Sequence, residues 1–188
     1  SASKYVQLLH RCEKDLLKRF CWVSQTNEDR MQLYRDRLPK FSQGIEFILP
    51  NYPMTNWSDE VEHRKKSKII RMVHVGALGL DTMHLELICQ WVMSQAGKYT
   101  LDFITSNIAD SAYQYIKSLE CDNIRLLSAT EYYEIPSKLS FYSIGLVLYK
   151  GVVPNYIFNV PNKVSEYLHC GLDVWYPNSL ESTSAWAK

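Results

Sequence analysis

Apolar and polar positions alternate differently in the two parts of the chain. Over residues 3–20, Val6, Leu9, Leu16 and Leu17 recur among Lys, Arg and Glu at the spacing of an amphipathic helix. A short apolar run follows over residues 20–23. Residues 24–27 then offer cap side chains for a second helix that carries Met31, Leu33 and Tyr34 and ends before Pro39. Residues 45–49 read as a short strand closed by Pro50. Residues 51–68, with Pro53, Asn56, Ser58 and a charged run over 60–68, are poor in apolar side chains and read as a linker.

From Ile69 the pattern becomes regular. Residues 69–75 are a β-rich apolar run ending at Gly76, and residues 81–96 place Leu85, Ile88, Cys89, Val92 and Met93 on one helical face. Strands are predicted over 99–105, 123–127, 144–148 and 172–176, with helices over 109–119 and 136–141 and a loop over 149–158. Strands alternating with helices, and apolar on both faces, predict an α/β fold with a parallel sheet covered on both sides. Ligands of such sheets bind at the carboxyl ends of the strands.

The stretch NVPNKVSEYLHCGLDV, residues 159–174, predicts one short helix with both ends marked. Asn159 is a candidate cap, Pro161 suits the first turn, and Gly171 suits a left-handed C-terminal residue. Val164, Tyr167 and Leu168 form the expected buried stripe, while Lys163 and Glu166 share another face. The N–H groups of that first turn, with Lys163, make a candidate phosphate site. Glu166 is placed to accept hydrogen bonds from the hydroxyls of a sugar. The dull alternative is a solvated pair worth a few tenths of a kcal/mol.

Composition narrows the function classes. The chain has 188 residues, long enough for one sizeable core with an appendage. Twenty-one basic side chains against 20 acidic ones leave a net charge of +1, which argues against broad binding of nucleic acid. Any anion site must be local. Five widely spaced cysteines, Cys12, Cys21, Cys89, Cys121 and Cys170, form no C-x-x-C and read as reduced, mostly buried thiols of a cytosolic protein. His63, His74, His84 and His169 fall on separate elements without metal-ligand spacing, so no metal is expected.

Gly76-Ala77-Leu78-Gly79 is a Gly-x-x-Gly turn at a strand-to-helix junction, able to bring backbone close to a phosphate. It is neither the Gly-x-Gly-x-x-Gly of dinucleotide enzymes nor a P-loop. Tyr132, Tyr133, Tyr149 and Tyr156 lie in loops of the same sheet edge and are candidates for an aromatic wall. No Gly-x-Ser-x-Gly occurs, so a hydrolase would lack its nucleophile.

Three of these stretches together resemble the donor-binding domain of GT-B glycosyltransferases, specifically the family 4-like group. RMVHVGALG resembles its opening strand and Gly loop, and IPSKLSFYSIGLVLYKG its short helix and following strand. VPNKVSEYLHCGLDV resembles the Pro-x-Lys-x-x-Glu-Tyr-Leu signature, and residues 22–50 resemble the end of the preceding acceptor domain. The resemblance implies a Rossmann-like donor half over residues 69–188, a linker over 51–68 and an acceptor-domain remnant over 1–50.

By the same resemblance Gly76, Ala77, Leu78, Asn162, Lys163 and Glu166 would bind a nucleotide-sugar. Glu166 would take the ribose, and Lys163 with the helix start the diphosphate, helped by Lys150. Such enzymes are hexosyltransferases that need no metal or other cofactor. They pass a sugar to a glycan or lipid-linked acceptor, commonly in surface polysaccharide synthesis. The expected location is the cytoplasm, with peripheral contact of a longer protein at the inner membrane face. With most of the acceptor domain and a closing helix after Tyr176 unaccounted for, the chain by itself is expected to be inactive. Ala77, Phe158 and Asp173 stand where members usually carry other residues, and they motivate an alternative: a nucleotide- or glycan-binding module without transfer activity.

Overall fold

In a computed structural model the described residues are 3–17, 19, 21–37, 45–60, 68–95 and 97–186. Phe20, Pro39, His63, Ala96 and the charged run from 61 to 67 lie outside them. The chain divides into two compact units, Ser1–Pro50 and Asn51–Lys188.

The first unit contains α1 (Lys4–Leu17), β1 (Trp22–Gln25), α2 (Glu28–Arg37) and β2 (Ile45–Ile48). Asn27 caps α2 as its position predicts, its Oδ1 accepting from the Arg30 N–H at 2.9 Å. The two strands pair in parallel, Trp22 opposite Ile45 and Gln25 opposite Ile48. Met31 and Val23 form the buried centre, while Trp22, Ile45, Phe47 and Ile48 are exposed.

The second unit is an all-parallel five-stranded sheet with helices on both faces, a Rossmann-like arrangement. Its strands are β3 (Ile70–Val75), β4 (Tyr99–Thr105), β5 (Ile124–Ser128), β6 (Ile144–Leu146) and β7 (Asp173–Trp175), in the order β5-β4-β3-β6-β7. The period of two along β3 separates the cores. Met72 joins one side with α3 (Leu85–Ser94) and α4 (Asp110–Ser118), through Leu85, Ile88, Val92 and Ala112. Val73 joins the other with α5 (Ile135–Leu139) and α7 (Asn162–His169), through Leu139, Val164 and Tyr167. Two further short helices are α6 (Pro154–Ile157), inside the predicted loop, and α8 (Glu181–Trp186), which follows β7.

Several local readings are corrected. The helix predicted from residue 81 begins at Leu85, because residues 82–84 pair with the chain leaving β6. The Lys150 N–H donates to the Thr82 carbonyl and the His84 N–H to that of Leu148, at 2.9 and 2.8 Å. The expected linker is structured at its start. Trp57 is 1 % exposed and its ring lies 4.9 Å from that of Tyr132. Of the five cysteines only Cys89 and Cys170 are buried; Cys121 is half-buried, and Cys12 and Cys21 are exposed. They belong to the first unit, whose buried centre is small.

Candidate functional site

The sheet reverses its direction of growth between β3 and β6: β4 and β5 add on one side of β3, β6 and β7 on the other. The connections leaving the carboxyl ends of two such strands diverge and open a crevice, the usual ligand position in this architecture. The Gly76 loop leaves β3 there, and the segment carrying Tyr149 and Lys150 leaves β6.

Gly76 has φ +119°, a conformation L side chains rarely adopt. A Cβ on it would stand 2.9 Å from both Cε and Nζ of Lys163. The turn lacks a side chain where the lysine of a helix 87 residues later lies against it. Lys163 Nζ also donates to Tyr149 Oη at 3.3 Å and sits 5.6 Å from that ring's centre. Tyr149 in turn stacks on Tyr156, centroids 4.9 Å apart and planes 12° from parallel. Glycine, ammonium and two tyrosines thus meet at the crevice.

Helix α7 supplies the rest. It begins at Asn162 after an extended Pro161, so Asn159 is not its cap; the Asn159 carbonyl instead accepts from Thr183 Oγ1 at 2.9 Å. Tyr167 sets the rotation of the helix. Its ring fills the space over Gly145, where any Cβ would fall 2.2 Å from Cδ2, and its hydroxyl accepts from the Val75 N–H at 3.0 Å. That rotation leaves Leu168 46 % exposed, against the predicted stripe, and buries Glu166 to 8 %. Burial pushes the Glu166 carboxyl above its ordinary value, partly offset by the Lys163 charge and by a hydrogen bond with Tyr132.

The remaining predicted residues are placed as follows. Asn162 accepts through Oδ1 from Asn51 Nδ2 at 2.9 Å, and Ser165 Oγ donates to the Asn51 carbonyl at 2.9 Å, so residue 51 is clipped to the start of α7. Ala77 offers its carbonyl to His74 Nε2. Leu78 is drawn away: its side chain is buried in the first core, its N–H donates to the Asn107 carbonyl and its own carbonyl accepts from Ala109, each at 2.9 Å. Lys150 Nζ donates to the Leu80 carbonyl at 3.0 Å. Tyr133 is 64 % exposed.

His74 is the supporting residue that spacing alone did not single out. Fully buried, its ring nitrogens lie 2.9 Å from the Leu146 carbonyl and 3.2 Å from that of Ala77, and the single N–H of the neutral ring donates to one of the two. Burial, with the Lys163 charge adding, pulls the imidazole down to about 4, so it is neutral at pH 7. A polar residue two positions before the glycine, inside the apolar run over residues 72–75, was the available signal.

Among the described residues no three His, Cys, Asp or Glu side chains gather as a metal site, and no helix is long and apolar enough to cross a membrane. Compared with models of protein families and with curated proteins, the chain matches none.

Proposed function

We propose that the chain carries the nucleotide-sugar-binding half of a GT-B glycosyltransferase of the family 4-like group. The observation that supports this most is the Lys163 ammonium lying against Gly76 at the point where strand order reverses, with the Glu166 carboxylate one turn further along α7. In this reading the donor diphosphate lies between the Gly76 turn and the first turn of α7. Lys163 and the helix dipole neutralise the charge that grows as the sugar departs. Glu166 accepts hydrogen bonds from the ribose hydroxyls, and the Tyr149–Tyr156 stack walls one side. The bond from the anomeric carbon to the diphosphate oxygen breaks while an acceptor hydroxyl oxygen bonds to that carbon with retention. The hydroxyl proton passes to the leaving diphosphate. The acceptor is a glycan or a lipid-linked glycan, and surface polysaccharide assembly is the pathway class.

Titration calorimetry of UDP, GDP and ADP tests the reading. One of them binds saturably, and Lys163→Met weakens it on the order of thirtyfold, the loss of one charge-assisted contact of about 2 kcal/mol. Absence of binding by all three, or equal binding by the variant, contradicts it.

A second reading, a binding module without transfer activity, is favoured by the state of the Gly loop. The Gly76 N–H donates to the Ile104 carbonyl and the Leu78 N–H to that of Asn107, so two of the loop's N–H groups are unavailable to a phosphate. Nucleotide binding by a chain that never turns over its sugar conjugate, even with an acceptor domain supplied, would decide for it.

A further inference from the structure

A second cavity lies on the α5 side of the sheet, of about 260 Å³, and none of its lining residues is one assigned to the nucleotide site. Ile104 and Leu127 form its apolar floor, Phe141 and Tyr142 an aromatic wall, and Ser128, Thr130, Arg71 and Lys138 its polar groups. Arg71 is the second residue of β3 and Gly76 follows its last, five residues or about 17 Å of strand apart, while Ile104 reaches the turn through its carbonyl, which accepts from the Gly76 N–H.

The charges here do not balance. Asp102, 1 % exposed, is an acid in contact with the lining residues Tyr142 and Arg71, and its carboxylate is already held. Arg125 donates to both its oxygens, Nε at 2.7 Å and an Nη at 2.6 Å, and Tyr142 Oη donates at 2.7 Å. Arg71 approaches Asp102 only to 3.9 Å, beyond hydrogen-bond range, and rests its guanidinium 5.0 Å from the Tyr142 ring centre. In that position the guanidinium N–H groups of Arg71 are left without a hydrogen-bond acceptor among the described residues. Lys138 Nζ donates to Thr130 Oγ1, a neutral partner, at 2.5 Å. Among the described residues two cations therefore line the cavity, and no acid does.

We infer that this cavity binds a small phosphate monoester bearing a flat apolar group. Two cations and two hydroxyls match the dianion and its several acceptor oxygens. The Phe141–Tyr142 wall and the Ile104–Leu127 floor take the apolar group. The volume lies just under the roughly 300 Å³ at which drug-sized sites begin, so the ligand is no larger than a ring with its phosphate. The inference stands independently of the nucleotide reading.

Amide-resolved NMR titration of the full chain with phenyl phosphate tests it, with inorganic phosphate and phenol as comparison probes. Saturable shifts are expected at residues 128–130 and 138–142, with Kd near or below about 1 mM. Lys138→Gln, a change on the exposed face of α5, weakens binding about tenfold, and Arg71→Gln at least as much. Glu166→Gln, which impairs the nucleotide site, leaves it unchanged. No saturable shift, binding that survives both cavity variants in folded protein, or equal binding of inorganic phosphate or phenol overturns the proposal.

Discussion

The two walls of the crevice are built oppositely. On the β3 side the Gly76–Leu78 turn is bonded into the sheet and its neighbours: Gly76 to Ile104, Leu78 to Asn107 and Ala109, and Ala77 to His74. On the α7 side lie the charged groups, Lys163 donating to a tyrosine hydroxyl and Glu166 buried with its carboxyl above the ordinary value. The loop is a rigid surface against which α7 positions its charges. In the proposed reading the helix therefore supplies the binding groups, and the loop acts through its shape.

This contrast can be broken at several points. Leu78→Ala should lower stability by about 3 kcal/mol, as a buried leucine truncation does, while leaving nucleotide affinity unchanged; denaturant unfolding and calorimetry read the two effects separately. A loss of affinity would mean that the loop binds directly.

His74 makes the rigid wall sensitive to pH. Its unfolded imidazole takes up a proton near 6.5, the buried one only near 4, so between these values the unfolded chain binds more protons. Stability is full above the upper value and falls as pH drops through the window, by on the order of 3 kcal/mol. His74→Asn should flatten that part of a stability-versus-pH curve, and an unchanged slope would assign it to another group.

Gly76→Ala probes the contact between the walls. A side chain at φ +119°, 2.9 Å from Lys163, should cost about 2 kcal/mol and displace the ammonium. Unlike Leu78→Ala, it should weaken nucleotide binding as well as thermal stability. A variant that melts lower but binds normally would show that the lysine works away from the glycine.

The sheet was legible because apolar strands ending in glycine or polar turns carry their own signal, and all five central strands fall where that pattern predicts. The strand-like path of residues 82–84 was not legible: its cause is pairing with Tyr149, more than 60 residues away. Trp57 was hidden in a polar segment, and its packing against Tyr132, with the Asn51 clip to α7, ties this segment to the second unit. For the site, Gly76 and Lys163 were named from the sequence, and they meet. The burial of Glu166 was not foreseen, because helical spacing gives a face but not its rotation. That rotation is set by Tyr167 fitting over Gly145.

The most direct test of the nucleotide reading is a double-mutant cycle between Glu166 and the ribose. The nucleoside diphosphate that binds, and its 2′,3′-dideoxy form, would be titrated against the parent chain and against Glu166→Gln. If Glu166 receives the ribose hydroxyls, the substitution weakens the ribonucleotide about tenfold, roughly 1.4 kcal/mol, and leaves the dideoxy form unaffected. Equal losses for both nucleotides, or none for either, would contradict the assignment of this carboxylate to the sugar.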